Sequence, residues 1–335
     1  MTNKLKEKWL RLYDVTQKIG MMEPWSDFSE KDQFVYVWKG EEKSVHFTFL
    51  GDSVGKCGIA CYVGEDNYIS ARNRILSKNE KQEPVFMLQN ALICIWDDRE
   101  DISKEDYALI KSLGFSPRGK GTWLHFNRHE VGYMPTLLTE TDIDFLTVAF
   151  ENLTMMLRAI YEQGLDPEFD KGKTLTRWYD PKAEIYYTHP LEVKLPKDIG
   201  NYPVVTVKEN DWLREVRAMQ SAGYSVELDW SYLPVPFSDK DGRNIFPRSM
   251  LAVEKESGYI LSSLLLTPEQ ELLGIAFNLL DQLIEKYGKP QEILICDESL
   301  RGILADACKK VNIKVTVKKR LSQVNAARKK LIETM

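Results

Sequence analysis

The sequence lacks any apolar run approaching the ~18 residues that a membrane span needs; its longest, such as Tyr259 to Leu266, are far shorter. It is also poor in cysteine. Cys57, Cys61, Cys94, Cys296 and Cys308 are odd in number, form no C-x-x-C pair and sit mostly in apolar patterns, which argues against a disulfide framework and for reduced core thiols. No P-loop and no dinucleotide fingerprint occurs, so the two common phosphate-cradling glycine motifs are excluded. The chain lacks the overall basic excess of a dedicated nucleic-acid binder, its net charge being −5. The opening residues, MTNKLKEKWLRLYD, hold no apolar signal core, and the expected location is cytoplasmic, with no membrane association.

What is present suffices for more than one core. A chain of 335 residues with 43% hydrophobic and 11% aromatic residues exceeds what one core organises, and domains of roughly 150 residues suggest two. Charge divides the halves: residues 1–189 carry 24 Lys and Arg against 30 Asp and Glu, and residues 190–335 carry 21 against 20. Basic side chains gather near the end, where Glu333 is the only acid after Asp306. Lys318, Lys319, Arg320, Arg328, Lys329 and Lys330 are therefore the candidate contacts to nucleic-acid phosphates, for weak and salt-dependent binding; the alternative is a solvated helix face.

Leu5 to Ile19 repeats apolar residues at helical spacing and stops at Gly20. Three strand-like runs follow, Phe34 to Trp38, Val45 to Leu50 and Gly58 to Val63, separated by the turn-rich KGEEK and GDSVGK, as in an antiparallel meander. Val85 to Trp96 and Thr122 to Phe126 predict further strands, and Glu105 to Leu113 a short helix. Thr139 to Gly164 predicts a long helix opened by Thr139 and Asp142, with apolar residues at 143, 146, 150, 153, 157 and 160. The N-terminal domain is thus expected to be α+β with an antiparallel sheet. The Pro-, Asp- and Gly-rich segment around Pro190 is the expected boundary, with one domain over 1–189 and the other over 190–335.

In the second half, Val204 to Val207 reads as a short strand, Asn210 as the cap of a helix using Trp212, Leu213, Val216 and Met219, and Val226 to Tyr232 as an alternating strand. The same pattern recurs 89 positions later without gaps, aligning Val207 with Cys296, Asn210 with Ser299 and Val226 with Val315, an internal repeat. Between the copies, LAVEKESGYILSSLLL has the form of a hairpin turning at Lys255 to Gly258. A long helix follows, with Thr267 as cap, Pro268 in first position and Gln270 completing a capping box. It leads to Ile293 to Cys296, a wholly apolar run of the kind buried in parallel sheets, and strand 226–232 is its expected neighbour.

In this order, VELDW, VEKESGYI, GKPQEILICDESL and NIKV, over about residues 224–317, resemble the RNase H-like core of integrases and transposases. The resemblance implies an α/β C-terminal domain with a mixed sheet. It also implies that Asp229, on the first strand, and Asp297, at the end of the strand after the long helix, hold Mg or Mn in a nuclease. Hard cations take carboxylate oxygens, and a metal pair clamps both oxygens of an in-line phosphoryl displacement. Integrases carry a third acid, a Glu, at about the distance beyond the second Asp where this chain has Glu333. Glu333, however, lies about 180° around the helix from Val324, away from the apolar stripe, whereas Leu331 lies about 20° from it. With that ligand in doubt, Asp297 also reads as a helix cap and Asp229 as a polar residue on the less buried side of its strand, and replacing both by Asn is expected to cost little stability. The whole chain also resembles a bacterial two-domain family with no activity to carry over, through W-x-x-L-Y at Trp9, Leu12 and Tyr13, P-W at Pro24 and Trp25, and R-x-x-x-G-Y-x-P from Arg128 to Pro135.

Other motifs weigh less. Gly51 to Gly55 fits G-x-S-x-G, but a strand follows it rather than the helix of a nucleophile elbow. His125 and His129, with Glu130, have zinc-like spacing only on a helix, and the segment reads as a strand running into a loop. Arg118 and Lys120, among the glycines between Pro117 and Thr122, suit either an anion cradle or a hairpin. The aromatics of the N-terminal half alternate with polar residues as packing residues do. The expected function is a non-catalytic or degenerate RNase H-like binding or accessory protein with no cofactor. A divalent-metal-dependent nuclease acting on DNA or RNA is the alternative, and a small-molecule enzyme with an interdomain cleft is a third class.

Overall fold

The structure, a computed structural model, describes residues 1–40, 43–51, 56–76, 87–192 and 204–334. These fall into two units: the first holds 1–40, 43–51, 56–76, 88–131 and 135–192, the second Met87, 132–134 and 204–334.

In the first unit the elements are α1 (Asn3–Gly20), β1 (Phe34–Val37), β2 (Ser44–Leu50), β3 (Cys57–Val63), α2 (Glu65–Leu76), β4 (Ala91–Asp97), α3 (Lys104–Leu113), β5 (Trp123–His129), α4 (Glu140–Tyr161), β6 (Thr174–Asp180) and β7 (Ile185–Leu191). The strands form one sheet in the order β5-β4-β3-β2-β1-β6-β7. Strands β1 to β5 run antiparallel, the first three as the meander predicts. The sheet is nevertheless mixed rather than antiparallel, because β6 lies parallel to β1 with Phe34 opposite Leu175. A single helix between two strands returns the chain in its starting direction. That is what α4 does between β5 and β6, and its start at Thr139 is a complete capping box with Asp142. Strands β6 and β7 come from the segment expected to separate the domains, and they complete this sheet. The helices α1, α3 and α4 share a core with one sheet face, including Leu12, Ile110, Phe150, Phe34, Phe47 and Phe126. Helix α2, unanticipated because it is mostly polar, covers the other face through Tyr68 and Ala71 against Ala60, Tyr62 and Ile93.

The second unit contains α5 (Asp211–Ala218), β8 (Ser225–Tyr232), the two-residue strands β9 (Phe237–Ser238) and β10 (Asn244–Ile245), β11 (Arg248–Glu254), β12 (Ile260–Leu266), α6 (Leu272–Tyr287), β13 (Glu292–Ile295), α7 (Glu298–Lys310), β14 (Lys314–Val317) and α8 (Ser322–Thr334). Five strands form a mixed sheet in the order β12-β11-β8-β13-β14, with β11 antiparallel to both its neighbours. As the buried apolar run requires, β13 pairs in parallel with β8, and β14 flanks its other edge. One face, carrying Val226, Leu228, Met250, Ala252, Ile293 and Ile295, packs with α5, α6 and α7. The opposite face, carrying Leu251, Val253 and Leu294, packs with Leu321, just before the last helix, and with Val324 and Ala327 on it.

Two local expectations change. Val204 to Val207 is not a strand: the Val205 N–H donates to the Gly302 carbonyl at 3.0 Å and the Val207 N–H to Asp306 Oδ2 at 2.8 Å, so α7 rather than the sheet satisfies this backbone. The 89-residue repeat therefore has no first strand. Helix α6 begins at Leu272, four residues after Pro268. Half of the expected box forms, with the Thr267 N–H donating to Gln270 Oε1 at 2.8 Å. The buried Arg248 guanidinium donates to the Thr267 and Gln270 carbonyls and holds this turn apart from the helix. Among the described residues no helix is long and apolar enough to cross a membrane, and no disulfide joins the five cysteines.

Candidate functional site

Strand β8 sends its even-numbered residues Val226 and Leu228 into the larger core and its odd-numbered residues to the α8 side. Beyond Ser225 those are Glu227, Asp229 and Ser231, only 5%, 2% and 4% exposed. Asp229 is therefore on a buried face, not the less buried one, because α8 covers it. Glu227 Oε2 accepts from the backbone N–H groups of Gln323 at 2.8 Å and Val324 at 3.0 Å. A carboxylate at a helix N-terminus satisfies otherwise unpaired donors and meets the positive end of the macrodipole. One turn on, Asp229 Oδ2 accepts from Arg328 Nη2 at 2.9 Å, with side-chain exposures of 3% and 14%. Four helical residues rise ~6 Å and two strand residues ~6.6 Å, so α8 lies in step along β8.

Asp297 follows β13 and caps α7: its Oδ1 accepts from the Ser299 N–H at 2.7 Å and from the Ser299 hydroxyl. Trp230, next to Asp229, has its indole Nε1 3.4 Å from Ser299 Oγ, which brings the end of β8 to the start of α7. Glu333 points outward, 60% exposed and 3.9 Å from Lys329. Among the described residues no three His, Cys, Asp or Glu side chains gather so as to hold a metal. The hydroxyls of Ser231 and Ser249, opposite each other across β8 and β11, and the Arg328 Nε are buried without a hydrogen-bond partner.

The six candidate basic residues do not share one role. Lys318, Lys319 and Arg320 are exposed on the turn before α8, Lys329 and Lys330 are exposed on α8, and Arg328 turns inward to Asp229. Sequence reasoning missed the last. The available signal was its position four residues after Val324, about 40° around the helix, on the apolar side.

In the first unit, Ser53 of the G-x-S-x-G match lies outside the described residues, and the flanking Leu50 and Gly58 pair across an antiparallel hairpin. His125 is buried on β5, its Nε2 3.4 Å from Asp97 Oδ2 and its Nδ1 3.8 Å from Asp106 Oδ2. Lys56 Nζ reaches the same Asp97 oxygen at 2.8 Å. In the Arg118 to Lys120 loop, the Gly121 N–H donates to Asp98 Oδ1 at 2.7 Å, so a side-chain carboxylate already takes a donor that an anion would use.

Comparison with known proteins identifies two domains. The domain of unknown function DUF7309 matches residues 9–177, and the domain of unknown function DUF6930 matches residues 212–332. No curated protein matches the chain. Among solved structures, it is similar to a chain in a cryo-EM structure of the simian T-cell lymphotropic virus intasome in complex with PP2A regulatory subunit B56 gamma, at 18% identity and a TM-score of 0.24. That alignment covers 36% of this chain and 43% of the other, less than half its length.

Proposed function

We propose, for a chain that belongs to the DUF7309 family, that the second unit is an RNase H-like domain that has lost nuclease chemistry and that the protein acts as a binding or accessory protein. Supporting the first part is the succession of β8, the β11–β12 hairpin, α6, β13 ending before Asp297, α7 and β14, with β8 and β13 adjacent and parallel. A division into domains over 1–189 and 190–335, and a cytoplasmic location, belong to the same proposal.

The observation that carries the second part is the Asp229–Arg328 pair. A guanidinium stays protonated at any physiological pH. A divalent cation approaching Asp229 would have to displace one charge-assisted contact and sit beside a fixed positive charge. Asp297 spends an oxygen on its helix cap, and Glu333 points away. The residues present do not fit a Mg or Mn pair, and no hydrolytic step is assigned to them.

Contact with nucleic acid would rest on the five exposed basic residues around α8. With at most about five phosphates neutralised, affinity would fall by up to ~500-fold between 50 and 200 mM salt. The test is to incubate the full chain with single- and double-stranded DNA and RNA in Mg²⁺ or Mn²⁺, and to titrate the same substrates at two salt concentrations. Expected are no metal-dependent cleavage and weak binding that decays with salt. Robust cleavage abolished by Asp229→Asn with Asp297→Asn would overturn the proposal in favour of a nuclease.

A further inference from the structure

Around α4 in the first unit, charges pair off. Its four acids are Glu140, Asp142, Asp144 and Glu151, and each meets a cation, Lys8, Arg128 or Arg11. On β6, Asp180 turns its Oδ1 to the backbone N–H groups of Lys182 and Ala183, at 2.8 and 3.3 Å. Arg177, three residues earlier on the same strand, is the exception. It stands opposite Tyr36 on the α4 side of the sheet, half-buried, and its partners are all neutral. Its Nε donates to Asn152 Oδ1 of α4 at 3.0 Å and its Nη1 to Thr188 Oγ1 of β7 at 2.8 Å, and the guanidinium lies 4.7 Å from the centre of the Tyr186 ring. Among the described residues no carboxylate pairs with it. Burial pulls its pKa below that of a free guanidinium, as removal of a charge from water without a counter-ion should.

A second unpaired cation lies beside it. Lys39, exposed just after β1, holds its Nζ 3.7 Å from the centre of the Tyr179 ring, and it too meets no carboxylate among the described residues. Tyr179 and Tyr186 stand opposite each other across β6 and β7, their rings 5.1 Å apart, so each member of one tyrosine pair carries a cation. The groups left to act are donors. Arg177 Nη2 makes neither of the two hydrogen bonds above and is not sealed from solvent. Lys39 Nζ has all three of its N–H groups, and Tyr186 offers a hydroxyl. Beside it, Tyr36 is kept protonated because burial, and then the Tyr186 hydroxyl, push its pKa up, so no phenolate forms there to balance the cations.

We propose that Arg177, Lys39 and the Tyr186 hydroxyl form a binding site for the phosphate monoester of a small molecule. Such a group carries a charge of about −2 near neutral pH and presents acceptor oxygens only, which matches two unpaired cations and a set of donors. The guanidinium supplies a planar fork and the ammonium a mobile point charge. Asn152 and Thr188 fix the guanidinium before any ligand arrives, so little side-chain freedom is lost on binding. A carboxylate or a phosphodiester brings a single charge and leaves one cation unbalanced. The site lies wholly in the first unit and is independent of the reading given to the second.

Calorimetric titration of the full chain in a buffer free of phosphate and sulfate tests this, with inorganic phosphate, adenosine monophosphate and dimethyl phosphate as probes taken to roughly 10 mM, enough to saturate a millimolar site. Inorganic phosphate and the nucleotide should both bind saturably at one site per chain and compete with each other, and singly charged dimethyl phosphate should bind about tenfold more weakly or not at all. Arg177→Met should weaken phosphate about tenfold or more, and Lys39→Gln, at an exposed position that the fold does not need, several-fold. Tyr186→Phe, which keeps the ring, should also weaken it, and Lys318→Gln in the second unit should change nothing. Should Arg177→Met lose its native circular dichroism spectrum, Lys39→Gln and Tyr186→Phe decide the matter. No saturable binding of phosphate, binding unmoved by Lys39→Gln and Tyr186→Phe, a nucleotide that binds where inorganic phosphate does not, or dimethyl phosphate binding as well as phosphate would each overturn the proposal.

Discussion

Replacing Arg328 by Met removes the cation that faces Asp229 while keeping an unbranched side chain under α8. The carboxylate left behind is 3% exposed, and its guanidinium partner is 14% exposed. Stranding one member of a buried pair costs about 3–5 kcal/mol. Because Arg328 retains some contact with water, the lower end applies, about 3 kcal/mol. Asp229→Asn should cost less, about 1–2 kcal/mol, since the cation it strands can turn toward solvent. The double variant, with neither charge, should be less destabilised than the sum of the two by ~2 kcal/mol. Urea unfolding followed by circular dichroism gives the energies, and hydrogen exchange of the α8 amides locates the loss. A cost below ~1 kcal/mol for Arg328→Met, or strict additivity in the double variant, would refute a buried, coupled pair. This reasoning replaces the expectation that changing Asp229 and Asp297 together costs little: Asp229 secures a helix, and Asp297 caps another.

Three further outcomes follow from individual contacts. His46, buried and stacked on Tyr68, is held by burial down to about 4 from its ordinary 6.5; the unfolded chain takes its proton first as pH falls, so stability present above ~6.5 should be lost toward pH 4 by ~3 kcal/mol. Melting temperatures at neutral and acidic pH should show this loss shrinking in His46→Gln, and equal losses in both proteins would reject it. Glu227→Gln removes the charge at the start of α8 and should cost about 1 kcal/mol, read as faster hydrogen exchange in its first turn; unchanged exchange there would count against the cap. Gly58→Ala would set a Cβ 2.5 Å from the Cys94 carbonyl oxygen and 3.3 Å from Ile95 Cγ1; overpacking of ~2–3 kcal/mol should lower the melting temperature by roughly 4–12 °C, and a drop under ~2 °C would show that the strands part easily.

Local chemistry determined much of this protein from the sequence alone. The Thr139 and Asp142 capping box, the Asn210 cap, the hairpin turning at Lys255 to Gly258 and the parallel placement of β13 beside β8 all rest on periodicity, turn residues and the demand that an all-apolar strand be flanked on both edges. What lay beyond it was decided by partners distant in the chain. Strand β6 is parallel to β1 because α4 intervenes, and residues 204–207 stay out of the sheet because a helix a hundred residues later supplies Asp306 and the Gly302 carbonyl. In the candidate site, the acids and the basic cluster were both legible as residue types, but not their meeting. Asp229 and Arg328 are 99 positions apart, and only the seating of α8 along β8 turns a possible metal ligand and a possible phosphate contact into one neutral, buried pair.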